Sequence, residues 1–461
     1  MHIDQLKSVY FIGIGGSGMS ALARYFNSLG VKVAGYDKTS TSLTDQLIKE
    51  GMDIHFEEDI EKIPENIDLI VYTPAIPKDH AELHHIIRKG LPLLKRAEVL
   101  GMISRKGKTI AVAGTHGKTT TATLIAHILK VAGVDMRAFS GGISKNYHSN
   151  FITSSPHQFI NSSTNIVVEA DEFDRSFLQL EPFAAVITSL DADHLDIYGT
   201  VENMKKTFRE FTGKVRPEGF LVVKSGLDIK PLEGSLPPIF TYGIDEAADY
   251  TAINIKVSNG NYIVDIRTPE ELIKDIIVGI PGRFNLENAV AAFSVAHRTG
   301  IPEGKIREGL ETFRGVQRRF DTHCKRPDFV YMDDYAHHPE ELRACISAVK
   351  EVYPGKKITG VFQPHLFSRT LEFADEFARS LELLDDIILL DIYPAREKPI
   401  EGVDSVMLLN KIRKSNKILC PREKVLDELI RRKPGVLLTL GAGDIDQLVS
   451  PIIIAFEKGS Q

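Results

Sequence analysis

A segment containing glycines and a lysine, directly after an apolar run, limits what this chain can fold into more than any other feature. The apolar run is 109–113, and the segment is Gly-Thr-His-Gly-Lys-Thr-Thr at 114–120. Its two glycines allow a tight turn after a buried strand and let backbone N–H groups face phosphate oxygens at the start of a helix. The segment therefore predicts a strand, a phosphate-binding loop and a helix in succession.

Two side chains of this segment suit a nucleoside triphosphate. Lys118 supplies a positive charge for the β- and γ-phosphates, and the Thr119 hydroxyl is an oxygen ligand of the kind that Mg²⁺ takes. The strict motif has glycine at the position of Val112, so the match is to a shortened variant. An ordinary turn with an exposed lysine is the alternative. The predicted ATP-binding residues of this segment are Gly114, Thr115, His116, Gly117, Lys118, Thr119 and Thr120.

The rest of the chain alternates short β-branched runs with amphipathic stretches. Runs such as 9–12 and 69–72 are typical of buried strands, and stretches with helical spacing separate them. Similar series begin near residues 109 and 330, and in the first of these the polar, turn-rich segment 140–163 lies between a predicted helix and a predicted strand. This alternation predicts an α/β fold with parallel sheets in three blocks. The predicted domains are 1–107, 108–316 and 317–461.

Composition excludes several classes of protein. The formal net charge of −6 gives no reason to expect nucleic-acid binding, and no apolar stretch approaches the length of about 18 residues that crosses a bilayer. The first residues lack the pattern of a secretory signal, and the cysteines at 324, 345 and 420 are too far apart to indicate a zinc or disulfide framework. We expect a cytoplasmic protein without membrane insertion, a monomer or weak homodimer, whose partners are small molecules.

A second glycine-rich segment, Gly-Ile-Gly-Gly-Ser-Gly at 13–18, follows the strand predicted at 9–12. Asp37 ends the next predicted strand, where a ribose-binding acid is found in dinucleotide-binding domains. This pattern is compatible with a nicotinamide-dependent oxidoreductase. It is equally compatible with the diphosphate of a nucleotide sugar, because it requires only a phosphate between glycines at a helix start. We favour the nucleotide sugar, since we find no hydride-transfer site in the remaining sequence.

Acidic clusters follow two further apolar runs. Glu-Ala-Asp-Glu at 169–172 comes after one run, and Asp-Ala-Asp-His at 191–194 comes after the next. In parallel sheets ligands bind at the carboxyl edge, and the loop at 114–120 leaves from that edge too. Carboxylates suit Mg²⁺, although helix-capping carboxylates in a solvated loop are the alternative. We predict Lys118, Glu169 and His194 as catalytic residues, and Thr119, Glu169 and His194 as metal ligands.

Further polar side chains lie beyond this block. Asn285 and Asn288 open a predicted helix, where Asn285 is typical of a helix cap and Asn288 could read an adenine edge. In the third block, Arg319 precedes a predicted strand, Asp-Asp-Tyr-Ala-His-His-Pro at 333–339 follows one, and Gln-Pro-His at 363–365 follows another. Charged and imidazole groups at successive strand ends indicate a second part of the binding site.

In this order, the motifs resemble those of the Mur ligases of peptidoglycan synthesis over essentially the whole chain. The segment 13–21 is similar to the UDP-binding loop of that family, and 114–120 is similar to its ATP loop. The other matching segments are 169–172, 193–194, the helix with Asn285 and Asn288, 333–339, 363–365 and 441–444.

The resemblance implies three α/β domains: an N-terminal Rossmann-like domain for the UDP moiety, a central P-loop-type ATPase domain with a mostly parallel sheet, and a C-terminal Rossmann-like domain. It implies ATP and Mg²⁺ as cofactors, and UDP-N-acetylmuramate and L-alanine as further substrates. The implied reaction joins L-alanine to the lactyl carboxylate through an acyl phosphate.

The resemblance also implies roles for single residues. Asn288 would hold adenine, Asp334 would hold the ribose of ATP, and Arg319 would contact a phosphate or the ribose. The implied amino-acid-binding residues are His337, His365 and Arg369. The implied UDP-sugar-binding residues are Gly15, Gly16, Ser17, Gly18, Met19, Asp37, Thr73 and Asn150.

Three departures from the family pattern accompany these matches. The segment 142–150 differs from the small-residue version that is common in other members, although Asn150 lies where the family has Asn. Many members have a second arginine where this chain has Leu366, and no lysine within 204–210 can be assigned to the carbamylated lysine of several sister ligases. Three other functions stay open at this point: a ligase that recycles murein tripeptide, a nicotinamide-dependent oxidoreductase, and a non-catalytic nucleotide sensor.

Overall fold

Three sheets make up the fold, and they lie in two compact units. The computed structural model describes residues 3–191, 195–229, 237–258, 261–395 and 397–458. The first unit holds the first two sheets and comprises 1–256, 262–279 and 287–314. The second unit holds the third sheet and comprises 257–261, 280–286 and 315–461. The α/β fold with mostly parallel sheets is confirmed, and the domain boundaries near residues 107 and 316 stay predictions.

The first sheet is entirely parallel. Its strands are β1 (Ser8–Ile12), β2 (Lys32–Tyr36), β3 (Asp53–His55), β4 (Leu69–Tyr72) and β5 (Leu93–Lys95). Its helices are α1 (Ser17–Ser28), α2 (Ser42–Lys49), α3 (Ala81–Lys89) and α4 (Arg96–Ser104). The spatial order is β3-β2-β1-β4-β5, so the chain changes direction across the sheet between β1 and β4. Ligands of open α/β sheets bind at such a switch point, and the loop 13–18 leaves β1 there.

The second sheet surrounds the strand that leads into the phosphate loop. Its strands are β6 (Lys108–Ala113), β7 (Met136–Ser144), β8 (Ser149–Thr153), β9 (Asn165–Glu169), β10 (Ala184–Ile187), β11 (Phe220–Lys224), β12 (Ile239–Ile244), β13 (Tyr250–Ser258), β14 (Asn261–Arg267) and β15 (Leu272–Val278). Its order is β15-β14-β13-β12-β11-β10-β6-β9-β7-β8, and β6 pairs in parallel with both β9 and β10. The segments after β6, β9 and β10 therefore meet at one carboxyl edge. The helices of this part are α5 (Lys118–Val131), α6 (Leu195–Tyr198), α7 (Val201–Thr212), α8 (Arg283–Arg298) and α9 (Glu303–Thr312).

The third sheet has the order β16-β17-β21-β18-β19-β20, with β16 (Asp321–Lys325), β17 (Val330–Asp334), β18 (Ile358–Phe362), β19 (Asp386–Leu389), β20 (Lys417–Leu419) and β21 (Val436–Leu440). The edge strand β16 is antiparallel to β17, and the other strands are parallel. Its helices are α10 (Pro339–Val352), α11 (Phe367–Glu372), α12 (Ala374–Leu381), α13 (Ser405–Lys411), α14 (Val425–Arg432) and α15 (Val449–Lys458). Short 3₁₀ helices lie at Ile3–Gln5, Ile60–Lys62, Phe173–Gln179, Arg422–Lys424 and Asp444–Leu448.

An aromatic cluster joins the first two sheets into one unit. Tyr25 on α1 is fully buried, and its ring lies 5.5 Å from the ring of Phe139 on β7 and 5.9 Å from that of Phe151 on β8. Burial of such rings stabilises a contact by about 2 kcal/mol each. The contact therefore fixes the second half of α1, and through this helix the loop at 13–18 that precedes it, against the second sheet.

One feature differs from the sequence-based expectation. The segment 140–163, which its polar and turn-forming residues indicated to be a loop, contains the end of β7 and all of β8, paired as an antiparallel hairpin. The pairing is irregular between Phe139 and Ser144, where Gly141 and Gly142 interrupt the alternation that would predict a strand.

No helix in the described ranges is both long and apolar enough to span a bilayer.

Candidate active site

The phosphate loop requires its two glycines. The backbone φ is 133° at Gly114 and 82° at Gly117, a region that side chains other than glycine rarely adopt. A Cβ on Gly114 would lie 2.2 Å from Oγ1 of Thr188, and one on Gly117 would lie 2.6 Å from Oδ1 of Asn288. The loop then leads directly into α5, so the positive end of that helix faces the space beside Gly117.

Lys118 is held by the protein itself. Its Nζ donates to the Gly114 carbonyl oxygen at 2.6 Å and to Oε1 of Glu172 at 2.9 Å. Glu172 is 1% exposed. Burial disfavours the charged form of Lys118, but the carboxylates of Glu172 and Glu169 outweigh burial and raise its pKa above the ordinary value. Lys118 is therefore a fixed, partly buried cation at the end of the phosphate loop.

The carboxylate of Glu169 and the hydroxyl of Thr119 lie in contact beside the phosphate loop. Glu169 is the last residue of β9, and its Oε1 accepts a hydrogen bond from the Thr119 hydroxyl at 2.9 Å. Its Oε2 accepts from the Gly141 backbone N–H at 2.8 Å, which fixes the orientation of the carboxylate. A carboxylate and a hydroxyl in contact are the hard oxygen donors that Mg²⁺ prefers. These residues fit a magnesium ion.

The segment after β10 supports the same loop. The Ser189 hydroxyl accepts from the His116 backbone N–H at 2.7 Å, and the Asp191 backbone N–H donates to the Thr115 hydroxyl at 3.1 Å. The predicted third metal ligand, His194, lies outside the described residues. Within the described ranges, no three His, Cys, Asp or Glu side chains are grouped to hold a metal ion.

Asn288 lies beside the phosphate loop, and its contact with adenine stays a prediction. It is 7% exposed, and its Oδ1 accepts from the Thr121 hydroxyl at 3.2 Å. Asn285 instead donates its side-chain amide to the Pro281 carbonyl at 2.7 Å, which supports the start of α8. Asn285 is the third residue of α8 and its side chain donates a hydrogen bond instead of accepting one, so the prediction that it caps this helix is wrong.

At the first glycine loop, Asp37 holds the loop itself. Its Oδ2 accepts from the Gly15 backbone N–H at 2.7 Å, and a Cβ on Gly15 would lie 2.9 Å from the same oxygen. Gly13 approaches Thr73 equally closely, with 3.0 Å from a Cβ to Cγ2. The side chain of Met19 is buried, so any contact of this residue with substrate involves its backbone. Direct binding of the sugar nucleotide by these residues stays a prediction.

Asn150 and Arg24 form a buried hydrogen bond that the sequence did not indicate. Asn150 is fully buried, its Oδ1 accepts from Nη1 of Arg24 at 2.6 Å, and its Nδ2 donates to the Ser17 carbonyl at 2.7 Å and to the Ser20 hydroxyl at 2.8 Å. Glu50 neutralises Arg24 at 2.8 Å. The three partners of Asn150 all lie on α1, and Glu50 directly follows α2. Asn150 is therefore placed to position the first glycine loop, which leads into α1.

Replacing Asn150 by alanine is expected to lower the free energy of unfolding by about 2 kcal/mol, because buried donors on Arg24 and a carbonyl on α1 lose their partner. Urea unfolding measures this change, and the exposed Asn66, replaced in the same way, is the matched control. Equal effects of the two substitutions would contradict the assigned role.

Arg96 and Asp171 form another contact that the sequence analysis missed. Nη2 of Arg96 lies 3.2 Å from Oδ2 of Asp171, and Nη1 lies 2.8 Å from where a Cβ on Gly18 would be. This guanidinium therefore lies between the first glycine loop and the acidic segment after β9. The basic residue at the start of α4 was the available signal, but nothing in its local sequence pointed to either partner.

In the second unit, Asp334 is buried at the end of β17. Its carboxylate accepts from the backbone N–H groups of Phe320 at 2.6 Å and Ala336 at 2.7 Å. Burial raises the pKa of Asp334 from 3.8 to about 7, although Arg319 opposes the shift. The guanidinium of Arg319 lies over the Tyr335 ring at 5.0 Å. Binding of the nucleotide by Asp334 and Arg319 stays a prediction.

The raised pKa of Asp334 predicts a pH dependence of stability. The folded state holds this proton more tightly than the unfolded state, so the carboxyl destabilises the fold as the pH rises from about 4 to about 7. Relative to an Asp334→Asn variant, the protein is expected to lose stability over this range. Urea unfolding of both proteins at about pH 5 and about pH 7.5 tests this, and a constant difference between them would contradict it.

The predicted amino-acid-binding residues form an imidazole pair beside Arg369. The rings of His337 and His365 lie 5.9 Å apart, and His365 stacks on Tyr393 with ring centres 5.7 Å apart. Burial lowers the pKa of His365 to about 4, so this imidazole is neutral at neutral pH. Arg369 lies close enough to act on both imidazoles, and its contact with the carboxylate of an amino acid stays a prediction. Leu366 has φ of 71°, and this strained backbone turns the chain between His365 and α11.

A phosphate loop with a partly buried lysine and a carboxylate suited to Mg²⁺, on a mostly parallel sheet, defines an enzyme that uses a nucleoside triphosphate. Comparison with known protein families identifies the family to which this enzyme belongs. Domain models described as "Mur ligase family, catalytic domain", "Mur ligase middle domain" and "Mur ligase, glutamate ligase domain" match residues 8–108, 112–296 and 318–443. The chain belongs to the Mur ligase family, which consists of ATP-dependent ligases, and the predicted membership is confirmed.

Individual relatives are similar over their full length. The UDP-N-acetylmuramate–L-alanine ligase of Parabacteroides distasonis is 49% identical over 457 residues, which cover 98% of each chain. The enzyme of that name from Porphyromonas gingivalis is 50% identical over 454 residues, covering 97% of this chain and 98% of the relative. The crystal structure of a UDP-N-acetylmuramate-alanine ligase from Thermotoga maritima matches with a TM-score of 0.83 at 26% identity, covering 98% of this chain and 100% of that one.

Proposed function

We propose that this enzyme joins L-alanine to the lactyl carboxylate of UDP-N-acetylmuramate, with cleavage of ATP to ADP and phosphate, in the synthesis of peptidoglycan precursors. The similarity to two ligases of that name, each over at least 97% of this chain, is the observation that carries the proposal. The phosphate loop and the fixed cation Lys118 supply the chemical basis for it.

The reaction takes place in two steps. A lactyl carboxylate oxygen attacks the γ-phosphorus of ATP, the bond to the β,γ-bridging oxygen breaks, and ADP leaves with that electron pair. The amino nitrogen of L-alanine then attacks the acyl carbon, phosphate leaves with the C–O electron pair, and the nitrogen loses a proton. Phosphorylation is needed because a carboxylate oxygen is otherwise a poor leaving group.

The protein stabilises charge in the first step. Transfer of the γ-phosphoryl group spreads negative charge over its oxygens, and fixed cations and N–H groups stabilise that charge. The backbone N–H groups at the start of α5 and the ammonium group of Lys118 would provide such groups, with Lys118 changing its partner from Glu172 to the phosphate. Thr119 and Glu169 would hold Mg²⁺, with His194 as the further predicted ligand. When bound, the ion neutralises phosphate charge and orients the triphosphate.

The remaining substrates are assigned by position. The loop after β1, with Asp37, Thr73 and Asn150 around it, would bind the UDP-sugar. His337, His365 and Arg369 would bind alanine, with Arg369 on its carboxylate. We further propose that the enzyme is cytoplasmic and a monomer or weak homodimer.

A substrate-pair assay tests the function. ADP and phosphate release are measured with ATP and UDP-N-acetylmuramate, and L-alanine, glycine, L-serine or a preformed murein tripeptide is offered in separate reactions. We expect the fastest amide formation with L-alanine. A preference for tripeptide would establish the recycling activity instead, and the absence of any alanine-dependent amide product would overturn the proposal.

A further inference from the structure

A cavity of about 820 Å³ opens in the second unit at the amino ends of its strands. Its lining comes from the segments that precede β18, β19 and β20, including Tyr353, Asp385 and Asn416. His337 and His365 follow the carboxyl ends of β17 and β18 instead. The cavity is therefore on the opposite edge of the third sheet from the predicted amino-acid-binding residues, and the proposed ligation does not use it.

The lining is strongly basic. Lys350, Lys356, Lys357 and Lys414 contribute to it, and Asp385 is the acidic residue among the lining residues. The Asp385 carboxylate accepts from the Ile358 backbone N–H at 2.8 Å, so part of its hydrogen-bonding capacity is already used. This concentration of positive charge contrasts with the formal net charge of −6 for the whole chain. The adjoining stretch 410–417 adds Arg413 and Lys417 and contains no acidic residue, whereas its Lys411 pairs with Asp375 at 2.7 Å.

Two of these ammonium groups are fixed without being neutralised. Nζ of Lys356 donates to the Pro327 carbonyl at 2.7 Å, and Nζ of Lys414 donates to the Leu384 carbonyl at 2.6 Å. A carbonyl oxygen uses one of the three ammonium donors and leaves the unit charge in place. Lys357 differs, because the carboxylate of Asp386 lies 2.7 Å from its Nζ. The cavity thus keeps a net positive charge with pre-positioned donors.

We propose that this cavity is a second ligand site, and that it binds a small, multiply phosphorylated anion. Several lysines around one concave space attract a ligand that carries several negative charges, and the effect is stronger in a cavity than on a convex surface. Its volume is within the range of about 300 to 1,000 Å³ that small-molecule sites occupy, so a ligand of nucleotide or oligophosphate size fits. Lysine ammonium groups bind phosphate as point charges and require no single geometry.

Inorganic tripolyphosphate is a suitable probe for isothermal titration calorimetry with the full chain. We expect binding at the cavity in addition to any binding at the phosphate loop. In a Lys350→Glu/Lys414→Glu variant, the cavity component should disappear or weaken by at least about tenfold. A Lys32→Glu/Lys62→Glu variant makes the same change in net charge at exposed sites of the first unit and should bind as the unmodified protein does.

The ligation rate and the melting temperature of each variant show that it is folded, and both should stay unchanged because none of these lysines belongs to the proposed catalytic site. If charge reversal unfolds the second unit, the neutral variant Lys350→Gln/Lys414→Gln provides the same comparison. Identical stoichiometry and affinity in the cavity variant and the control would overturn the proposal. So would lysine-dependent binding to phosphatidylglycerol vesicles without binding of tripolyphosphate, since that would assign the patch to a membrane surface.

Discussion

Replacing Lys118 by methionine is expected to lower the rate of ligation at saturating substrates by about 10³-fold. Methionine keeps much of the volume of the lysine side chain and removes its charge. The reacting γ-phosphate then loses a cation that the structure holds in place through the Gly114 carbonyl and Glu172. Steady-state release of phosphate, with UDP-N-acetylmuramate and L-alanine present, measures the effect.

This substitution also changes stability, and the change can be separated from catalysis. Without Lys118, the carboxylate of Glu172 is buried with no cation, which should cost about 3 kcal/mol of the free energy of unfolding. A Lys118→Met/Glu172→Gln double variant removes both charges and should regain most of that stability while staying inactive. Recovery of activity in the double variant would show that Lys118 acts only through folding.

Replacing Glu169 by glutamine should lower the ligation rate by about 10²-fold to 10³-fold and raise the concentration of Mg²⁺ needed for half-maximal rate. An amide has one acceptor oxygen and no charge, so it is a much poorer ligand for a hard divalent cation. One of the two bonds, to Thr119 or to Gly141, would also lose its acceptor. The measurement is the ligation rate across a magnesium titration.

The matched control for this prediction is Glu181→Gln, because Glu181 is 53% exposed and pairs with Arg105 on the surface of the same unit. Its rate and magnesium requirement should not change. A Glu169→Gln enzyme that binds magnesium more weakly but ligates at the full rate once saturated would contradict a catalytic role. That outcome would fit a protein that only senses nucleotide.

Much of the site follows from short-range patterns. The order of apolar runs and glycine loops predicts parallel sheets. Each predicted strand is followed by a helix, and a helix between two strands returns the chain so that the second strand can run parallel to the first. The acidic segments after β9 and β10 were expected at the edge where the phosphate loop lies, and β6 does pair with both strands. Local spacing suffices here because each motif is continuous in the chain.

Contacts between distant segments could not be predicted in this way. The partner of Asn150 is Arg24, 126 positions earlier, and the pairing of Lys118 with Glu172 spans 54 positions. The hairpin of β7 and β8 was missed for a related reason, since its glycines hide the alternation of buried residues that normally predicts a strand.

The sequence by itself therefore determined the α/β class, the two glycine loops and the family of this protein, because those depend on residues that are neighbours along the chain. Only the tertiary structure decided that Glu172 holds Lys118, that Asn150 and Arg24 support the first loop, and that lysines from separate segments line one cavity. The physical reason is that buried charges and polar groups take whichever partners the packed fold brings to them.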